Sequence, residues 1–497
     1  MRYPRGRAGD RRFSRACIAL CGVLFALAAA AQPPLPEGVP GARARAMVAI
    51  LTGPADDAAA IEPLVAANWA ASALAQRPAS ERAKALAGVR VDLGAAQLVR
   101  IVRQNADELQ MIFRSQAKGL WLTVGMKLEP GSPGGIVSAS MQLDSNPPAD
   151  AGAAAGPRLS PAQAIAQAAA RIDELAAQDA FSGVVLIAHD GRVELEKAAG
   201  MADRERGVPN GASTRFNIGS ITKAFTRVLI SALAAEGKLA LDDTLIRHLP
   251  DYPDRSIAEQ VTLRQLIEHR AGLGDIFNER FTPEVSSGLR TLSDHLTLFT
   301  GKPLEFEPGT AQRYSNAGYV VLGLVVERIT GMSFADAARE RIFAPAGMAA
   351  SGWLRRDALP GDAAVGYTRE GWQEEAQGRR LPDPPTRSRA PLAPRHANSL
   401  DLPAIGSSAG GSYSSARDLL AFDRALAAKR LGAPESYAQQ GGLGAAGGTV
   451  GANATLESDW GSGWTVIVLE NIDPPAAERL TRELRELVAR IETVPGG

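Results

Sequence analysis

Two β-rich stretches in opposite order bracket a mostly helical middle, and this arrangement constrains the chain more than any single motif. Near Ser160 a Ser-Pro pair caps a predicted helix of roughly 18 residues. Apolar strands at 181–189 and 192–199 follow, joined across Asp190-Gly191, a strong hairpin signal. The far end mirrors this order, with strands at 449–456 and 464–469 and then a helix from Pro474 to about Glu492. Residues 355–405 are irregular and rich in Arg and Pro, so they read as a long loop or lid.

A chain of 497 residues exceeds one ordinary domain, and a second unit is legible upstream. Residues 44–88 are Ala-rich with helical spacing, broken at Gly53-Pro54 and Arg77-Pro78. From Asp92 the pattern changes to β segments at 96–104, 108–114, 120–128 and 136–143, separated by turn signals. Helices followed by a meander predict a small α+β domain over 44–146, whose shape resembles the NTF2-like group. The Pro-, Gly- and Ala-biased 147–159 stretch reads as a linker into a second domain over 160–497.

The start of the chain has a different character. Six Arg and one Asp lie in residues 1–15, followed by the uncharged run Ala16 to Ala31. Charged start, apolar middle and small-residue end describe a secretory signal that is too short to span a bilayer, with cleavage expected after Ala31. Lipid anchoring at Cys21 is disfavoured because Leu20, not a small residue, precedes it, and Arg11-Arg12-Phe13 hints at twin-Arg export. Processing would remove both cysteines and leave a net charge of −5 from the 54 bases and 54 acids. The processed chain would then have no disulfide, thiol nucleophile or Cys-ligated metal. Without a basic excess a nucleic-acid partner is not expected, and no later apolar run is long enough for a membrane span. The expectation is an exported protein, periplasmic or secreted.

Chemistry concentrates in two segments. In "FNIGSITKAFTRVLISAL", residues 216–233, a helix starting at Ser220 places Lys223 one turn later on the same face. A serine needs such an amine because its hydroxyl is not nucleophilic at its free pKa, and the helix start offers N–H groups to an oxyanion. In "FEPGTAQRYSNAGYVVLGLVVERITG", residues 306–331, Tyr314 and Asn316 form a Y-x-N triplet before an apolar helix. Tyr314 serves as a base only if a neighbouring cation such as Lys223 lowers its pKa; on its own the triplet reads as helix capping and packing. Ser115 and Lys118 repeat the S-x-x-K spacing in a strand–turn–strand context where the side chains need not share a face, so that pair is set aside.

With their flanks, these segments resemble the serine β-lactamase-like family of class C β-lactamases, DD-peptidases and related esterases. The supporting text also includes "FSGVVLIAHDGRV" at 181–193, "GKLALDD" at 237–243 and "SSAGGSYSSARDLLAF" at 407–422, so the resemblance covers about 160–490. It implies an α+β fold, an antiparallel sheet flanked by helices with a helical subdomain. By position it makes Ser220 the acylated nucleophile, Lys223 its proton partner, Tyr314 the general base and Asn316 a substrate-orienting group. It implies a small-molecule or peptide substrate and no cofactor or metal, and leaves the oligomeric state open.

The sequence departs from the family at the third motif. Relatives carry Lys-Thr-Gly or His-x-Gly on the strand lining the site, whereas "GLGAAGGTVGANATLE" at 442–457 puts Ala445 or Ala446 at the cation position. The peptide N–H of Gly448 remains a candidate oxyanion donor, since a backbone group does not depend on side-chain identity. "LIEHRAGLGD" at 266–275 is a second departure from the usual "LLTHTSGL". The expected activity is therefore an esterase or weak peptidase rather than an efficient β-lactamase. The rival reading is an impaired member that binds an envelope ligand or partner.

Other signals carry less. Gly406 to Gly410 fits G-x-S-x-G, but no strand leads in and no His follows. Gly442 to Gly447 fits G-x-G-x-x-G without a following helix. His189, His248, His269, His295 and His396 show no metal-binding spacing, and structural or surface roles are expected for all five.

Overall fold

The computed structural model describes residue 35, most of 38–144, then 158–369, 394–398, 401–432, 437 and 441–491. The expected signal over 1–31, most of the expected linker and nearly all of the Arg-rich 379–395 stretch lie outside the described residues. Residues 1–151 and 152–497 form two units.

In the first unit, helices α1 (Gly38–Thr52), α2 (Ala58–Asn68), α3 (Ala71–Gln76) and α4 (Ala79–Leu93) precede a four-stranded antiparallel meander. Its strands are β1 (Ala96–Arg103), β2 (Glu108–Ser115), β3 (Trp121–Leu128) and β4 (Ile136–Asp144). Alternation decides the faces: Met111 and Phe113 join Met47, Ile50, Ile61 and Val65 in the core, while Ile112 packs with Trp121 on the other face. Ser115 is buried at the end of β2, and Lys118 lies outside the described residues. The likeness to the NTF2-like group remains a proposal.

The second unit opens with α5 (Pro161–Ala177), started by a capping box in which Ser160 Oγ accepts from the Gln163 N–H and Gln163 Oε1 from the Ser160 N–H. The hairpin β5 (Gly183–His189) and β6 (Arg192–Ala199) follows, then α6 (Thr222–Ala235), α7 (Leu292–Phe299), α8 (Asn316–Thr330) and α9 (Ala416–Ala427), with shorter helices between. The chain returns through β7 (Gly444–Thr449), β8 (Ala452–Asp459) and β9 (Trp464–Glu470) to α10 (Ala476–Ala489). The five strands form one antiparallel sheet in the order β7-β8-β9-β5-β6, so the two ends of the unit meet at the β9–β5 pair.

Both faces of this sheet are covered. Val185, Ile187, Val466 and Val468 pack against α5 and α10, while Val184, Leu186, Ile467 and Leu469 face the cluster built on α6, α8 and α9. This is the expected antiparallel sheet between helices. One boundary differs from the sequence reading: the strand read over 449–456 is broken by a two-residue turn at Val450-Gly451, with Thr449 paired to Ala452. Gly451 takes φ +67°, and a Cβ there would lie 2.7 Å from the Tyr367 nitrogen, so both backbone conformation and space require glycine. The glycine-rich 442–449 stretch thereby becomes an edge strand of its own. Among the described residues no single helix is long and apolar enough to cross a membrane.

Candidate active site

Asn217 sits on a two-residue strand paired to Tyr413, and its Oδ1 accepts the Gly219 N–H at 2.9 Å. That turn ends in a short 3₁₀ helix, Gly219–Ile221, leading directly into α6, so Ser220 stands at the helix start and Lys223 in the first turn. Edge strand β7 lies flush against this turn. A Cβ on Gly447 would fall 2.0 Å from the Ile218 oxygen and 2.7 Å from the Ser220 nitrogen, so only glycine permits the approach. Across the cleft, Ser315 caps α8, accepting from the Gly318 N–H and donating to the Gly274 carbonyl. The cap fixes Tyr314 just outside the helix and Asn316 as its first residue.

These elements bring Ser220, Lys223, Tyr314 and Asn316 together. Tyr314 Oη donates to Ser220 Oγ at 2.7 Å, and Lys223 Nζ lies 3.2 Å from the same oxygen. Nζ also donates to Asn316 Oδ1 at 2.7 Å and to the Ala409 carbonyl. Asn316 Nδ2 and its backbone N–H both donate to Asp275, at 3.0–3.1 Å. Since a carboxylate only accepts, this contact fixes which end of the amide faces Lys223. Both polar ends of Asn316 are thus engaged within the protein. It holds Lys223 while also lining the cleft, where the family resemblance implied a substrate-orienting group.

The electrostatics follow from burial. Lys223 is 6% exposed, and desolvation lowers its pKa to about 7 against the opposing pull of Asp275. The Tyr314 ring is half-exposed to the cleft, yet desolvation around its hydroxyl pushes its pKa up to about 12, with the Ser220 hydrogen bond acting the other way. His269 stacks on Tyr314 with ring centroids 4.6 Å apart, and its Nδ1 accepts the Ser315 N–H. Burial lowers its pKa to about 4, so at neutral pH it is an uncharged support for the tyrosine.

Hydrogen-bond counting then assigns the amine's orientation. Asn316 Oδ1 and the Ala409 carbonyl are acceptors and take two N–H bonds, so a neutral Lys223 has its remaining lone pair for the Ser220 hydroxyl. Such an amine can take the serine proton, while an un-ionised Tyr314 beside Oγ can supply one.

Gly448 lines a cleft of about 400 Å³ together with Ser220, Tyr314 and Asn316. Much of the wall is apolar: Ile276, Phe277, Phe281, Pro283, Leu402 and Pro403. Ala446 is exposed on β7 and Ala445 half-buried, so neither supplies a charge. Among the described residues, Arg356 is the lining residue with a permanent positive charge, and it donates to the Leu402 carbonyl.

Sequence reasoning missed three contributors: Asp275, His269 and the Ala409 carbonyl. Asp275 ends the 266–275 segment noted as unusual, which was a usable signal. The carbonyl belongs to the G-x-S-x-G stretch set aside above, and a backbone acceptor has no residue signature.

A family model described as Beta-lactamase matches residues 168–474, more than half of the chain and entirely within the second unit, and the chain belongs to that family. The chain is 33% identical over 308 residues to Esterase EstB of Burkholderia gladioli, spanning 59% of this chain and 76% of that protein. It is 34% identical over 170 residues to Penicillin-binding protein 4* of Bacillus subtilis (strain 168), covering 34% of this chain and 37% of that relative. Among solved structures, a penicillin binding protein from Bacillus halodurans shares the fold with a TM-score of 0.54 at 28% identity, covering 63% of this chain and 98% of that one. The family is one of serine hydrolases, and the relatives named here are an esterase and penicillin-binding proteins.

Proposed function

We propose that this chain is an exported serine hydrolase that cleaves esters, and more slowly amides, of neutral substrates through an acyl-enzyme on Ser220. The observation that carries the reading is the bonding of Lys223, whose two acceptor partners leave a lone pair for the Ser220 hydroxyl. Lys223 takes the Ser220 proton as Oγ bonds to the substrate carbonyl carbon. The Gly448 N–H stabilises the resulting oxyanion. The bond to the leaving group breaks as that group receives a proton through Tyr314, which is resupplied by Lys223. Water then attacks the acyl carbon, gives its proton to Lys223, and Ser220 departs with that proton restored.

This division of labour makes Lys223 the base and Tyr314 the proton carrier, because burial lowers the first pKa and raises the second. The apolar wall and the uncharged Ala445 and Ala446 favour neutral acyl groups over substrates anchored by a carboxylate. Similarity to an esterase across three quarters of its length supports the ester preference.

A fluorophosphonate probe followed by intact mass tests the reading on the folded protein. The expected result is a single adduct on Ser220, absent in Ser220→Ala and strongly slowed in Lys223→Ala. Folded protein that stays unlabelled on prolonged incubation would overturn it and favour the envelope-binding reading, which the missing third-motif cation supports.

A further inference from the structure

The 406–410 stretch matches a nucleophile elbow in spacing alone, and its central serine cannot serve as one. Ser408 is fully buried, and its Oγ donates to the Tyr319 carbonyl of α8 at 2.8 Å. A Cβ on Gly323, one turn along α8, would fall 2.2 Å from that Oγ, so the helix leaves room for it. What the stretch does instead is carry the Ala409 carbonyl to Lys223. The peptide between Ser408 and Ala409 is pinned at both ends, its carbonyl accepting from Thr226 Oγ1 at 2.7 Å and its N–H donating to Ser407 Oγ at 3.1 Å. The next peptide, which contains the Ala409 carbonyl, donates through the Gly410 N–H to the Ser407 carbonyl at 3.3 Å. Since a peptide unit is planar, these bonds aim the Ala409 oxygen at Nζ.

Thr226 is the unusual member of this set. It lies on α6, three residues after Lys223, and is fully buried. A threonine inside a helix commonly returns its hydroxyl to a carbonyl of its own helix, whereas this one reaches a loop 182 residues away in the chain. We infer that Thr226 is a positioning residue for the base: its hydroxyl ties the helix that carries Lys223 to the loop that carries the Ala409 carbonyl, so the amine keeps two acceptors and its remaining position stays on Ser220. The inference rests on the serine hydrolase reading and adds a residue to that site. Thr226→Val nearly keeps the side chain's shape but leaves the Ser408 carbonyl buried without this donor, a state costly enough to make the loop move. The Ala409 carbonyl then leaves Nζ, and because a carbonyl stabilises an ammonium more than a neutral amine, the Lys223 pKa falls. The charged and titratable groups that face Nζ stay in place: Asp275, His269, and the Tyr314 and Tyr319 rings at 4.7 and 5.5 Å, with Arg227 of α6 acting on His269 and Tyr319.

The test is a pH–rate profile for p-nitrophenyl acetate on the wild-type protein, Thr226→Val and Thr226→Ser. Thr226→Val should move the rising limb to lower pH by roughly half a pH unit and lower kcat by roughly tenfold with KM little changed, both within the range of one hydrogen bond. Thr226→Ser, which keeps the donor, should return the wild-type limb. A merely structural role would lower the melting temperature or the yield of folded protein and leave the limb of the folded fraction where it was. Where Thr226→Val fails to fold, Ser408→Ala, which frees the loop from α8 and leaves α6 intact, decides by the same shift. A limb that stays put or moves to higher pH, or one that Thr226→Ser shifts as far as Thr226→Val does, overturns the inference. Wild-type hydrolysis that depends on Ser220 separates the two levels. Its presence with an unmoved limb removes the role of Thr226 alone, and its absence removes the hydrolase reading and this inference together.

Discussion

Lys223 is a buried amine whose useful form is the neutral one. Burial holds its folded pKa at about 7, far below the 10.5 of a free lysine, so the base is protonated and silent in acid and becomes available as pH rises. We therefore expect kcat/KM for an uncharged ester to climb with pH through about 7 and then level, a limb measured directly by a pH–rate profile. Tyr314→Phe should keep that limb and lower kcat by roughly a hundredfold, because it removes a proton carrier and leaves the base in place. Asp275 offers a sharper test because two of its effects run in opposite directions. Its charge raises the Lys223 pKa, and its lone pairs fix the Asn316 amide. Asp275→Asn should move the limb to lower pH, since an opposing charge is gone. It should also cut kcat by roughly tenfold, since an amide can donate as well as accept and no longer holds Asn316 in one orientation. An unshifted limb would show that Asp275 does not act on the base through its charge.

Edge strand β7 does for the site what no side chain on it does: its backbone closes on the nucleophile turn. Asn453 holds the strand from behind, its Nδ2 donating to the Gly447 carbonyl while its Oδ1 accepts the Ala477 N–H of α10. Gly447→Ala must push β7 off the Ser220 turn, because backbone atoms and not a flexible side chain occupy the space of the new Cβ. The expected result is near-complete loss of ester hydrolysis with a stability loss of about 1–3 kcal/mol in urea denaturation. Full activity in that variant would mean the strand is not part of the site. This element also shows what the sequence could and could not disclose. The β5–β6 hairpin and α5 were legible because Asp-Gly and Ser-Pro are local signals, and Ser220, Lys223, Tyr314 and Asn316 because their segments resemble the motifs of a known family. β7 was misread because a Gly- and Ala-rich strand has no hydrophobic alternation to mark its ends. The role of the Ala409 carbonyl depends on a contact between segments far apart in the chain, which no local pattern encodes.

At the scale of the whole molecule, the candidate site and its covering helices draw on one set of cores and the first unit on another. Met47, Phe113 and Val124 belong to a cluster that shares no residue with those built on Phe225 and Val185. The family match also falls wholly within the second unit. The five-stranded sheet is closed by the β9–β5 pair, formed from the two ends of that unit, so a fragment keeping 152–497 retains every strand and both helices that cover its outer face. Such a fragment should fold alone, unfold in one cooperative transition, and hydrolyse p-nitrophenyl acetate with a kcat within about twofold of the longer chain, because buried cores and not the upstream unit set its stability. Trimming further to begin after α5 should abolish folding, since it strips the apolar face of Val185, Ile187, Val466 and Val468. Circular dichroism melts and initial rates on the two truncations decide the matter: an unfolded or inactive 152–497 fragment would show that the first unit completes the enzyme, and an active one leaves that unit free for a separate task.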